Sequence, residues 1–155
     1  MRVIVAAVGR PKDGPLAAAI RDYEGRAARY WPLDVAEVRG ERADDAAAAL
    51  TARVREGDRL RERISSARTI VACDVGGRRM TSEGFAGWLQ EQRERATDVA
   101  FVIGGAFGLD PALREGATLR LSLAPWTLPH EMARLVLAEQ LYRAGTIVRG
   151  EPYHK

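Results

Sequence analysis

Residues that bind metals or form covalent intermediates are nearly missing from this chain. It has one cysteine, Cys73, and two histidines, His130 and His154. A lone cysteine excludes an internal disulfide and suits a reducing compartment. Neither histidine has a second ligand at metal-binding spacing, so no metal site is expected. Long apolar runs are missing too. Nothing approaches the ~18 residues that a membrane span needs. The apolar opening at 3–8 is shorter than the core of a secretory leader and runs into Gly9-Arg10-Pro11-Lys12. A soluble, cytoplasmic protein is expected. Lysine is equally scarce: apart from Lys12 and Lys155, the 24 basic residues are all arginine. With a net charge of +3 and an isoelectric point near 9.4, the chain suits a partner that carries phosphates.

What is present is an ordinary folding composition, 46% apolar and 29% charged over 155 residues, which predicts one domain over 1–155. Apolar strand-like runs at 2–8, 33–38, 69–75, 99–103 and 119–123 alternate with helical spacing at 16–31, 44–64, 81–95, 110–116 and 129–144. The run at 33–38 alternates apolar and charged residues, as an edge strand does. Asp44 or Asp45, Thr81 and Asp110 stand where helix N-caps are expected. The arginines at 53, 55, 59, 61 and 63 read first as a solvated helix face, and only second as a nucleic-acid groove. Short turns between β and α units predict an α/β fold, a mostly parallel sheet with helices on both faces. Ligands of such sheets bind beyond the carboxyl ends of the strands. Here that means the loops after Ile103 and Leu123 and the end of the strand holding Cys73.

The cluster Gly104-Gly105-x-x-Gly108 matches neither the dinucleotide fingerprint nor a phosphate loop. A plain tight turn accounts for it as well as a ligand does. Cys73 falls inside an apolar strand and reads as an inert packed thiol. His130, in the first turn of the last helix, is a capping residue or a site residue. That helix is apolar nearly all round, and one sheet face needs only a stripe. With few helices left to cover its other side, a symmetric dimer is expected. Three classes of function stay open on these grounds. One is an enzyme built on the strand-end loops. The others are a small-molecule nucleotide-binding α/β protein and a non-catalytic dimeric RNA- or ribosome-binding module.

Several strings carry a resemblance. IGGAFGLD at 103–110, LSLAPWTLPHEMARLVLAEQLYRA at 121–144 and the ending GEPYHK at 150–155 resemble the ribosomal RNA large subunit methyltransferase H family, a small branch of the SPOUT methyltransferases. VIVAAVGRPK near the start and ACDVGGRRMTSEGFA at 72–86 resemble it as well. The chain departs from the family pattern at Cys73, at Ala124-Pro125-Trp126 and at Glu131. The resemblance implies a C-terminal trefoil knot, a homodimer, S-adenosylmethionine as methyl donor and N3 of a pseudouridine in large-subunit ribosomal RNA as acceptor. It implies cofactor contacts at Cys73, Gly104 and the loop Leu123, Ala124, Pro125, Trp126, Thr127 and Leu128. Removal of the acceptor proton needs a base. His154 is favoured over His130 for this, with Tyr153 positioning it. Arg143 and Arg149 are candidate RNA contacts. The tail is expected to fold back toward the methyl donor, within the chain or across a dimer.

Overall fold

The computed structural model describes residues 1–154, with only the backbone at His154. Five strands form one sheet in the order β2-β1-β4-β3-β5: β1 (Val3–Val8), β2 (Leu33–Val38), β3 (Thr69–Arg78), β4 (Val99–Ile103) and β5 (Leu119–Leu121). Every pairing is parallel. The central strands β1 and β4 are buried at every residue, as continuous apolar runs covered on both faces must be. β2 lies at the edge, and its alternation of apolar and charged residues fits that place.

The helices α1 (Pro15–Ala27), α3 (Ser82–Glu94) and α5 (His130–Val148) cover one face, around Trp31, Phe85, Leu89, Phe101, Leu137 and Leu141. On the other face α2 (Ala46–Ile64) and α4 (Pro111–Glu115) pack through Leu60, Ile64, Leu109 and Leu113. The helix starts follow the sequence. Asp45, Thr81 and Asp110 accept hydrogen bonds from the amides of Ala48, Gly84 and Leu113 at 2.7, 3.1 and 3.2 Å.

Several boundaries depart from the sequence expectation. α1 stops at Ala27 instead of running to residue 31; a turn at 28–30 follows, in which the Tyr30 and Trp31 amides both donate to the Ala27 carbonyl, before Pro32 leads into β2. The Trp31 indole donates to the carbonyl of Leu141 at 2.8 Å. β3 does not end at Gly76-Gly77 but continues to Arg78, with a register shift that sets both Cys73 and Arg78 against Leu121. Glycine is required there: a Cβ on Gly77 would lie 2.6 Å from the Arg120 backbone. β5 is correspondingly short. α5 starts at His130 with Pro129 as its N-cap and no capping role for Thr127, since Leu128 before the proline disfavours helix. It then runs one turn past residue 144.

α5 is also less bare than expected. α1 and α3 flank it, and its one deeply buried charge, Arg134 at 4% exposure, is bonded to Glu24 of α1 (2.7 and 3.2 Å) and Glu37 of β2 (2.7 Å). Burial alone would raise the Glu37 carboxyl. Hydrogen bonds from Arg134 and Arg10 outweigh it and hold that group below the ordinary carboxylate range. The side left outward carries Met132, Leu135, Val136, Glu139 and Arg143, one stripe at helical spacing.

Candidate active site

Three separate segments meet on the carboxyl-end side of the sheet: residues 73–75 within β3, 103–109 at the end of β4 and 123–130 after β5. Between them lies a cleft of about 740 Å³, also lined by Arg53 of α2 and Arg114 of α4. Ile103, Leu123, Leu128 and Ala133 give it apolar walls; Asp74, Thr127 and His130 supply polar groups beside the two arginines. The order of the strands brings these loops together. β4 sits between β1 and β3, and β5 adds beyond β3, so loops distant in sequence become neighbours.

The glycine turn explains itself locally. A Cβ on Gly104 would lie 2.6 Å from the Gly108 backbone, so the close approach that glycine permits is the turn's own return. Gly105 and Gly108 bridge each other, with the Gly108 amide donating to the Gly105 carbonyl at 3.1 Å. Cys73, at the floor, has its thiol pushed up to about 12 by burial, so it stays protonated near neutrality and is no nucleophile. Beneath the turn, the buried Glu56 accepts from the Glu41 amide at 2.8 Å through one oxygen, while the other has no partner. Its carboxyl is raised, chiefly by burial.

Of the residues the sequence pointed to, Cys73, Gly104, Leu123, Ala124, Trp126, Thr127, Leu128 and His130 all line this one cleft. Pro125 does not. Trp126 lines the rim with 77% of its surface exposed. The tail residues lie elsewhere in the same chain. Tyr153 packs at 4.5 Å on the ring of Tyr142, and its hydroxyl meets those of Tyr23 and the Glu139 carboxylate at 3.3 and 3.2 Å. Since Glu139 lies nine residues along α5 from His130, this cluster is about 14 Å down the helix from the cleft rim. Burial, the Tyr23 hydroxyl and the Glu139 charge all raise the Tyr153 phenol, which therefore stays neutral and donates. Arg143 is paired with Glu139 at 2.7 Å, and Arg149 stacks over Tyr30 at 4.7 Å. Neither arginine touches the cleft of its own chain. The His154 imidazole and Lys155 lie outside the described residues.

Arg53, Arg114 and Asp74 are cleft residues that sequence reasoning missed, as is Glu56 beneath the glycine turn. Arg53 was one of five arginines on a charged helix, and nothing in their spacing separates it from Arg59, which is spent on Glu41.

A family model described as predicted SPOUT methyltransferase matches residues 1–154. The chain belongs to the SPOUT methyltransferase family. It is 64% identical over 155 residues to the ribosomal RNA large subunit methyltransferase H of Gemmatimonas aurantiaca, covering all of both chains. To the protein of that name from Paracoccus denitrificans it is 43% identical over 163 residues, covering 100% of this chain and 99% of the other. Among solved structures, a probable methylase family protein from Haemophilus influenzae Rd KW20 superposes with a TM-score of 0.60 at 11% identity, over 99% of this chain and 70% of that one. A probable methyltransferase from Bordetella pertussis Tohama I gives 0.55 at 18% identity, over 92% and 95%. At such identities these structures show the shared SPOUT fold alone. In this SPOUT chain, the cleft lies where the family's parallel sheet ends.

Proposed function

We propose that this protein is an S-adenosylmethionine-dependent methyltransferase that methylates N3 of a pseudouridine in large-subunit ribosomal RNA, working in the cytoplasm as a single-domain, C-terminally knotted homodimer. The observation that carries the reading is the convergence of residues 73–75, 103–109 and 123–130 on one cleft in a chain matched end to end by the methyltransferase family. S-adenosylmethionine, when bound, supplies an activated methyl group on a sulfonium centre. The cleft suits its adenosyl part: Ile103, Leu123, Leu128 and Ala133 surround an apolar slot, and the loops around Gly104 and 123–128 bring backbone to its edge. Methyl transfer is an in-line displacement, so positioning does most of the work.

The acceptor nitrogen must lose a proton, and the two histidines are the candidates for taking it. His154 is preferred. Tyr153, kept neutral by its surroundings, orients it and cannot itself be the base. His130, already on the cleft rim, is the reserve. Because Tyr153 sits about 14 Å along α5 from the rim of its own chain, a second copy brings the tail to the cleft. The outward stripe of α5 supports this arrangement. It runs from Met132 at the cleft to Arg143 at the tail, and a twofold contact on it sets opposite ends of the two helices side by side. Arg143 and Arg149 then flank the acceptor strand.

The test is mass mapping of pseudouridine methylation in ribosomal RNA from cells lacking this protein. Loss of one methylated pseudouridine from the large subunit, restored by the parent chain and not by Gly104→Val, is expected. An unchanged methylation pattern in the deleted cells rules the assignment out.

A further inference from the structure

Two features of the cleft go beyond what backbone contacts to the cofactor use. The first is the arginine wall. Arg53 and Arg114 come from different helices, α2 and α4, yet both face into the same cleft. The Nε of Arg53 is buried with no hydrogen-bond partner among the described residues. Arg114 is bonded only to its exposed neighbour Glu115, at 3.0 Å. A pair that exposed is worth little and yields easily to a better anion. The second feature is Trp126, which lines the same cleft from the loop leading to α5 and is 77% exposed. A large ring left in water beside a cationic wall matches an aromatic, anionic ligand.

The chemistry of the acceptor calls for such a ligand. N3 of a uracil-type ring lies on its pairing edge, so the nucleotide must leave its partner before a methyl group can reach it. Unstacking it costs a few kcal/mol unless the protein supplies replacement contacts. We propose that Trp126 stacks on a base of the displaced single strand while Arg53 and Arg114 clamp a backbone phosphate of the same strand, so that the acceptor RNA enters the cleft between them. This rests on the methyltransferase reading above. The backbone of the 123–128 loop serves the cofactor, and the outward indole serves the RNA. A single cofactor carboxylate does not account for the arginines. The cofactor's methionyl end is a zwitterion beside a sulfonium cation, a poor match for two guanidinium groups.

The test reads RNA binding without methyl transfer, using the full-length protein, an oligouridylate and intrinsic fluorescence. Trp31 is fully buried and Trp88 is half-buried against Phe85 and Phe101, outside the cleft lining, whereas Trp126 is open to a stacking quencher. The parent is expected to show quenching on binding. Trp126→Phe should lose that signal yet bind within about 3-fold of the parent, and Trp126→Ala should bind roughly 10-fold or more weakly. Arg53→Ala and Arg114→Ala should each weaken binding and together lower the slope of log K against log salt by about 0.7, one phosphate's worth on a single strand. Affinity for S-adenosylhomocysteine, measured by calorimetry, should stay within about 3-fold in both arginine variants.

Three results overturn the proposal: no quenching of the parent by RNA, loss of S-adenosylhomocysteine affinity in the arginine variants at an unchanged salt slope, or dissociation of Trp126→Ala into monomers. The second assigns the arginines to the cofactor, and the third assigns the indole to a subunit contact. A parent protein that binds no S-adenosylhomocysteine sinks the methyltransferase reading instead, and is seen in a separate arm of the experiment.

Discussion

The two ends of α5 are built on opposite principles. At its N-terminus, around the cleft, polar groups are left open: the Arg53 Nε and one Glu56 oxygen are buried without partners, and Trp126 stands in solvent. Toward its C-terminus nearly everything is answered within the chain. Tyr153 is bonded to Tyr23 and Glu139, Arg143 to Glu139, Tyr30 to Glu151, and Arg149 covers Tyr30. Unsatisfied groups cost stability unless something else supplies the missing partners. The cleft end is thus shaped for a ligand, while the tail end is a rigid, self-satisfied mount. The difference teaches how one helix serves two roles. Its first turn lines the cleft, and its later turns hold Tyr153 against Tyr142 and Glu139.

The sharpest way to break the cleft end is Gly104→Val. The new side chain meets the Gly108 backbone, so the 105–108 turn must shift. S-adenosylhomocysteine binding should fall below detection by calorimetry, while circular dichroism still shows the folded sheet. Parent-like affinity means the cofactor lies elsewhere.

Next is the strut between the two ends. Arg134→Met leaves the buried Glu24 without its cation and the half-buried Glu37 with Arg10 alone, and should cost about 3 kcal/mol. In the parent, the lowered Glu37 carboxyl contributes stability above its unfolded value, and that contribution is lost as pH falls through its lower folded value. Thermal melts should therefore show the gap between parent and variant closing in acid. A gap independent of pH from neutrality down to acid contradicts the pairing.

Deleting residues 153–155 breaks the tail end alone. Cofactor affinity should stay within a few-fold, while methyl transfer to ribosomes falls by about two orders of magnitude, as expected when a positioned acid–base group goes. Near-parental transfer makes His130 the base.

The smallest effect sharpens the contrast at the cleft. Glu56→Gln keeps the acceptor used by the Glu41 amide and removes a buried charge, so it should stabilise by about 1 kcal/mol near neutrality. Because the Glu56 carboxyl is raised in the fold, its charge penalises the parent as pH rises through that value. The advantage of the variant should vanish below the ordinary carboxylate range. A variant less stable than the parent at neutral pH shows that the charge is compensated.

Much of this was legible in the sequence. Strand runs, N-caps and the edge place of residues 33–38 follow from local chemistry, and the strand-end rule led to the loops that meet at the cleft. Relations between distant segments were not legible. Gly76-Gly77 read as a strand end because the adjacent strand that needs their missing side chains comes some forty residues later. Arg134 read as a polar break on an apolar helix, since its partners Glu24 and Glu37 lie in other elements. Arg53 was indistinguishable from its neighbours for the same reason. The tail residues were singled out, but their nearest surroundings, the tyrosines of α1 and α5, depend on how the helices pack.

The central claim is that the cleft of one copy works with the tail of another, and mixing two disabled chains tests it directly. Gly104→Val has a tail and no cofactor site; the 153–155 deletion has a cofactor site and no tail. Each alone should be inactive toward ribosomes. Coexpressed in equal amounts, they should form half mixed dimers, each with one complete site, and recover about a quarter of the parent methyl-transfer rate. If the mixture stays as inactive as its components while mass measurement confirms that mixed dimers have formed, the cleft and the tail do not combine across the dimer.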